Sequence, residues 1–257
     1  MTGAHKRLSV HNVTFYGAPP AELQAHWAAL GVSRLSILDN QLLDPQFPML
    51  LRRNDYTVEA VYHLFAGGHL TSDPGAAREA LIAVIDAAAS VGAHTVYLLT
   101  GGRTGLTAGR RGVRVAPCAV RAKAAGVVLA VENASSLYAD IHIAHTLRDT
   151  VALAEMSDLG ICIDLFHCWA EGDFEAQLPR ALPRTALIQL SDYVLGARAL
   201  RSRRSSRRRS RRATPTASTW NSSAPASSGR AGSNPPGALA MSSARCWTSW
   251  VGEHGLR

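Results

Sequence analysis

Four times along this chain a stretch of helical period runs into a glycine and then into a short aliphatic run, at Gly31, Gly92, Gly126 and Gly160. A helix that stops at a glycine and gives way to a strand is the grammar of repeated βαβ units, which lay their strands side by side in a parallel sheet. Seven strands are predicted on this pattern, over residues 7–15, 34–38, 57–65, 95–99, 127–132, 160–164 and 186–190. The helices predicted between them cover residues 20–30, 74–91, 116–125 and 140–156. The last of these carries Ile141, Ala144, Leu147, Val151 and Ala154 on one face of a 3.6-residue period. No glycine-rich fingerprint follows the first strand, and polar residues recur where strands end. Both features favour a barrel over a doubly wound sheet.

The chain has 257 residues, enough for one such barrel, and its 47% hydrophobic and 6% aromatic content suits an Ala/Leu/Val-rich α/β core. The formal net charge of +8 would suggest nucleic-acid binding if it were spread evenly. It is not. Residues 1–196 hold 15 Lys and Arg against 18 Asp and Glu, a net of −3, while residues 197–257 hold 12 against 1, a net of +11. All excess basicity belongs to the tail.

Between Arg198 and Trp250 there is no Ile, Val, Phe or Tyr. Such a stretch buries too little apolar surface to offset its ordering entropy. The expected organisation is an α/β protein of the TIM-type (β/α) barrel, incomplete at about seven strands, over residues 1–197, with a disordered Arg/Ser/Pro-rich tail over 198–257. An open seven-strand barrel exposes two sheet edges, to be covered by a partner chain, a second copy or the tail. The tail's composition is that of a GC-rich gene read out of frame, and the Gly- and Arg-rich segment 101–114 reads as a shorter lapse of the same kind.

The four cysteines, Cys118, Cys162, Cys168 and Cys246, form no CxxC pair, so neither a disulfide framework nor a zinc knuckle is expected. Lys6 and Arg7 have no apolar segment behind them, and no stretch approaches the ~18 apolar residues of a membrane span. A cytoplasmic protein with no membrane partner is expected.

In a barrel the chemistry sits at the C-terminal ends of the strands. There the fifth strand offers Glu132 and Asn133, the sixth Asp164 and His167, and the seventh Gln189 and Asp192; the first and third add His11 and His63. Two carboxylates, an imidazole and an amide at one mouth suit a divalent ion such as Mn, Mg, Co or Zn. A carboxylate beside such an ion can move a proton next to a polarised carbonyl. Taken singly, Glu132 and Asp192 serve equally as helix caps, and His11 and His63 equally as core residues.

The strings Val131-Glu132-Asn133, IDLFHCWAEGD from Ile163 and IQLSDY from Ile188 resemble the xylose isomerase-like barrel superfamily. Its members include ketose 3-epimerases, inosose dehydratases, hydroxypyruvate isomerases and, more distantly, endonuclease IV. The resemblance covers residues 7–196. It implies Glu132 and Asp164 as metal ligands, with Glu132 also a possible base. His167 would contact substrate hydroxyls, as in the epimerases, or hold a second metal, as in the nucleases, with Glu171 assisting on the same loop. Gln189 stands where the family has a histidine ligand. The eighth strand and its glutamate, one of a pair working on opposite faces of the substrate carbon, are not found.

The function expected is therefore a metal-dependent isomerase or epimerase of a small sugar, polyol or related hydroxy-carbonyl compound, with Glu132 and His167 catalytic. His11, His63, Glu171 and Asp192 would bind substrate, and Glu132, Asp164 and Gln189 would hold the metal. Two other readings compete. An endonuclease IV-like phosphodiesterase needs more His, Asp and Glu ligands than the barrel supplies, and a basic surface it lacks. A non-catalytic protein could bind nucleic acid without sequence preference through the nine arginines between Arg198 and Arg212.

Overall fold

Successive residues of a strand face opposite sides of the sheet, and in this chain the two sides carry different chemistry. The computed structural model describes residues 7–64, 73–102, 108–190 and 216–219. Its strands are β1 (Leu8–His11), β2 (Arg34–Leu38), β3 (Thr57–Leu64), β4 (Thr95–Leu99), β5 (Val128–Glu132), β6 (Gly160–Asp164), β7 (Thr185–Leu190) and β8 (Thr216–Thr219). Each pairs in parallel with the next, and β8 pairs with β1 to close the ring.

Leu35 and Ile37 of β2, Val96 and Leu98 of β4, Leu129 and Val131 of β5, and Ile161 and Ile163 of β6 point outward into the main core. There they meet helix residues such as Leu23 and Trp27 of α1 (Pro20–Leu30), and Leu81 and Ile85 of α4 (Pro74–Ser90). The alternate residues Leu38, Tyr62, Tyr97, Ala130, Cys162 and Leu187 form a separate inner cluster. Each fully buried Leu or Ile contributes ~1.5–3 kcal/mol, so the outer layer supplies most of the stability. The inner one is smaller and more polar: Ser9 and Ser36 meet there with hydroxyls 3.4 Å apart.

Between β2 and β3 lie α2 (Asp39–Leu42) and α3 (Gln46–Arg53). The remaining helices are α5 (Ala108–Ala124), α6 (Leu147–Ser157), α7 (Leu165–Cys168) and α8 (Phe174–Ala181). Gly31, Gly92 and Gly126 adopt φ of 63°, 72° and 73°, the left-handed conformation that lets the chain leave a helix without a Cβ clash. Gly160 has another reason. The left-handed residue closing α6 is Asp158, at φ 52°, whereas a Cβ on Gly160 would lie 2.8 Å from Val128 Cγ1.

Three expectations are revised. The helix expected over 140–156 begins only at Leu147, because the Thr146 side chain accepts from the Asp149 amide and the Glu171 carboxylate accepts from the Leu147 amide. These caps fix the start against the apolar periodicity upstream. The helix expected from 116 instead starts at Ala108, so part of the Gly/Arg segment is helical. Finally, the seven expected strands are all present, the first ending at His11 because residues Asn12–Phe15 turn into a short 3-10 helix, and an eighth comes from the tail assigned to disorder. Thr216–Thr219 fills the gap between the two exposed edges, which need a partner's backbone groups more than any particular side chain. The barrel remains incomplete in its eighth (β/α) unit: among the described residues no helix follows β8. The rest of 198–257 lies outside the described residues. Among those described, no helix is long and apolar enough to cross a membrane.

Candidate active site

Inward alternation along β5, β6 and β7 carries Ala130, Cys162 and Leu187 below and brings Glu132, Asp164 and Gln189 to the C-terminal mouth. Asp164 is held by two devices. Its Oδ1 accepts from the Phe166 amide at 2.8 Å, capping α7. Its backbone is clamped by the Asn133 side chain, which donates to Asp164 O at 2.9 Å and accepts from Asp164 N at 2.8 Å. The cap leaves Oδ2 for the site.

The Gln189 amide joins the two carboxylates. With its nitrogen inward it donates to Asp164 Oδ2 at 3.0 Å and to Glu132 Oε1 at 2.9 Å, and its oxygen accepts from the Tyr97 hydroxyl at 2.7 Å. Tyr97 Oη is also 2.6 Å from His11 Nε2, and His11 Nδ1 accepts from the Val13 amide at 3.0 Å. His167 Nε2 stands 3.8 Å from Asp164 Oδ2, beyond hydrogen-bond reach, and its buried Nδ1 has no partner within the protein. The ring sits edge-on to Tyr138 and Phe166, each with centroids 5.0 Å away.

Glu132 and Asp164 are each 6% exposed, and burial disfavours their charged forms. Glu132 is raised well above the usual carboxylate range by burial and then by the neighbouring Asp164 charge. Asp164 is pushed up to about 7 by burial, partly offset by the Phe166 amide. Both shifts favour retention of a proton on the pair near neutrality. Burial lowers His11 to about 3 and His167 to about 4, so both imidazoles are neutral at pH 7.

The other expected residues are placed differently. His63 follows the inward Tyr62 on β3, and its Nδ1 lies 2.5 Å from Asp39 Oδ2 at the start of α2. Glu171 turns both carboxylate oxygens to the Leu147 amide, at 3.1 and 3.0 Å. Both ring nitrogens of His11 are engaged within the protein. Asp192 lies outside the described residues. Tyr97, which the strand-end reading misses, is central; its one signal is an aromatic ring with a hydroxyl at an inward position of the short TVYLL run. Among the described residues, no group of three or more His, Cys, Asp and Glu is gathered to hold a metal; the third member of this cluster is an amide.

Residues 45–215 match the family model described as xylose isomerase-like TIM barrel. The chain belongs to that family. No curated protein matches it. Among solved structures, it is similar to an AP endonuclease, family 2, from Brucella melitensis, with 13% identity, a TM-score of 0.71, and 97% of this chain and 99% of the other covered. A xylose isomerase-like TIM barrel protein from Mycobacterium smegmatis in complex with magnesium shows 15% identity and a TM-score of 0.65, over 85% and 91%. D-psicose 3-epimerase from Clostridium cellulolyticum H10, solved with D-tagatose, shows 15% identity and a TM-score of 0.61, over 74% and 75%. At such identities the shared property is the fold, and within this xylose isomerase-like barrel function must be argued from the mouth itself.

Proposed function

We propose that this chain is a metal-dependent isomerase acting on a small sugar, polyol or related hydroxy-carbonyl compound. One observation carries the reading: Glu132 and Asp164 lie buried together at the barrel mouth, sharing a single neutral amide. Two carboxylates whose proton affinity is raised by burial and, at Glu132, by its neighbour's charge are suited to a cation, and the donor set fits one. Glu132, Asp164 and the Gln189 oxygen, once its amide turns inward, offer three hard oxygen ligands, which favours Mg or Mn over Zn. The magnesium complex of the Mycobacterium smegmatis barrel supports that choice.

A bound divalent ion would polarise the substrate carbonyl and so acidify the neighbouring C–H. Glu132 is the base for that proton. His167 offers Nε2, the ring nitrogen 3.8 Å from Asp164 Oδ2, to a substrate hydroxyl, and Tyr138 and Phe166 fix the ring that presents it. Asn133 keeps Asp164 in place.

The eighth strand separates isomerase from epimerase. Epimerisation removes a proton from one face of a carbon and returns it to the other, which calls for groups on both sides. Thr216–Thr219 has no carboxylate in its sequence, so this strand supplies no counterpart to Glu132 across the substrate carbon. A single base moving a proton between adjacent carbons on one face suffices for isomerisation.

The test is proton exchange in deuterated water with Mn present, over a panel of aldoses, ketoses and hydroxypyruvate, followed by proton NMR. A substrate should lose its C–H signal and isomerise, and Glu132→Gln should abolish both. No exchange with any panel member by the metal-saturated protein would overturn the proposal.

A further inference from the structure

The hydrogen bonds behind the carboxylates run in one direction, and the direction is forced. The Val13 amide can only donate, so His11 Nδ1 accepts and the proton of this neutral imidazole sits on Nε2. His11 Nε2 therefore donates to Tyr97 Oη at 2.6 Å. The Tyr97 hydroxyl, already accepting, gives its own proton to Gln189 Oε1 at 2.7 Å. With its oxygen taken, Gln189 has only its NH2 to turn toward Asp164 Oδ2 and Glu132 Oε1. Both neighbours of the amide thus demand the same orientation.

We infer that His11 and Tyr97 are positioning residues that lock Gln189 as a hydrogen-bond donor to the carboxylate pair, so that a cation enters only by turning this amide over. The lock explains how the site stays satisfied without a cation: the amide supplies a donor to each carboxylate. It also sets a cost on loading, since turning Gln189 oxygen-inward breaks its bonds to Tyr97, Asp164 and Glu132 together. The second part rests on the metal reading proposed above; the orientation of Gln189 does not.

The test uses the full-length, metal-free protein labelled with 15N at its five glutamines, Gln24, Gln41, Gln46, Gln177 and Gln189. Gln189→His identifies the Gln189 side-chain resonances by their loss. In the wild type these NH2 protons should exchange with solvent far more slowly than those of the exposed Gln46. Tyr97→Phe, which removes the donor to Gln189 Oε1, should shift and speed them. His11→Asn, which retains a cap for Val13 but no longer reaches Tyr97, should do the same to a lesser degree. Calorimetry then titrates Mn into each protein. Loss of one hydrogen bond opposing the turn should tighten binding by roughly fivefold in Tyr97→Phe, whereas simple damage to the site would weaken it. Unchanged Gln189 exchange in both variants, or weaker Mn binding in Tyr97→Phe, overturns the inference. Faster exchange with no Mn binding by any protein upholds the lock and sinks the metal reading instead.

Discussion

The helix-covered strands of the first six units and the eighth strand join the same ring by different means. β2, β4, β5 and β6 each send two large aliphatic side chains outward beneath the helices, as Leu98 and Ile163 do, and are hydrogen-bonded to both neighbours as well. β8 is paired with β1 and β7, Ala217 lying opposite both Leu8 and Ile188, and among the described residues no helix follows to cover it. A backbone hydrogen bond contributes a net ~0.5–1.5 kcal/mol and a buried aliphatic side chain ~1.5–3 kcal/mol. The six units whose strands are followed by helices, β1 to β6, therefore supply most of the barrel's stability, while β8 chiefly covers two edges.

Four outcomes would break or sharpen this contrast. The largest effect is expected at Trp27, which is fully buried, packs against Phe47 and Tyr56, and donates to Asn12 Oδ1 at 3.0 Å. Trp27→Ala should cost about 3–5 kcal/mol in urea unfolding. Asn133→Ala, which strips both side-chain bonds from the Asp164 backbone, should cost about 1–3 kcal/mol in the same measurement.

The third effect depends on pH. Because the folded Asp164 carboxyl lies near 7, above its ordinary 3.8, the folded metal-free protein binds more protons than the unfolded chain between those values. Stability is then greatest at the acid end of this window and falls as pH rises through about 7, by on the order of 1 kcal/mol or more. Asp164→Asn should make the profile shallower, leaving the part contributed by the buried Glu132, and a profile unchanged by that substitution would contradict the assignment. Smallest of all should be Ala217→Pro, which removes one amide from the β8 ladder and should cost under about 1 kcal/mol. A loss matching that of Trp27→Ala would mean that β8 is as firmly integrated as the other seven.

Much of this architecture is legible in the sequence because barrel strands and helix-ending glycines are local signals. Helix α1 and strands β2, β4 and β6 fall where the hydrophobic pattern predicts. Glu132 and Asp164 are legible because a carboxylate ending an aliphatic strand has few reasons to be there. The features not read depend on tertiary structure. Tyr97 matters through partners on β1 and β7, far away in sequence. The start of α6 is set by Glu171 on another loop, which then uses its carboxylate as a cap. β8 comes from a segment with little strand character, and what places it is the pair of open edges on β1 and β7, partners far away in sequence.

The most direct test of the carboxylate pair as a cation site is calorimetric titration of Mn into the metal-stripped, full-length protein, with Glu132→Gln and Asp164→Asn alongside. The account predicts saturable binding at a single site, tighter as pH rises through about 7 because the ligands must shed their proton, and lost in both variants. Absence of binding in the wild type, or binding that survives both substitutions, would contradict it.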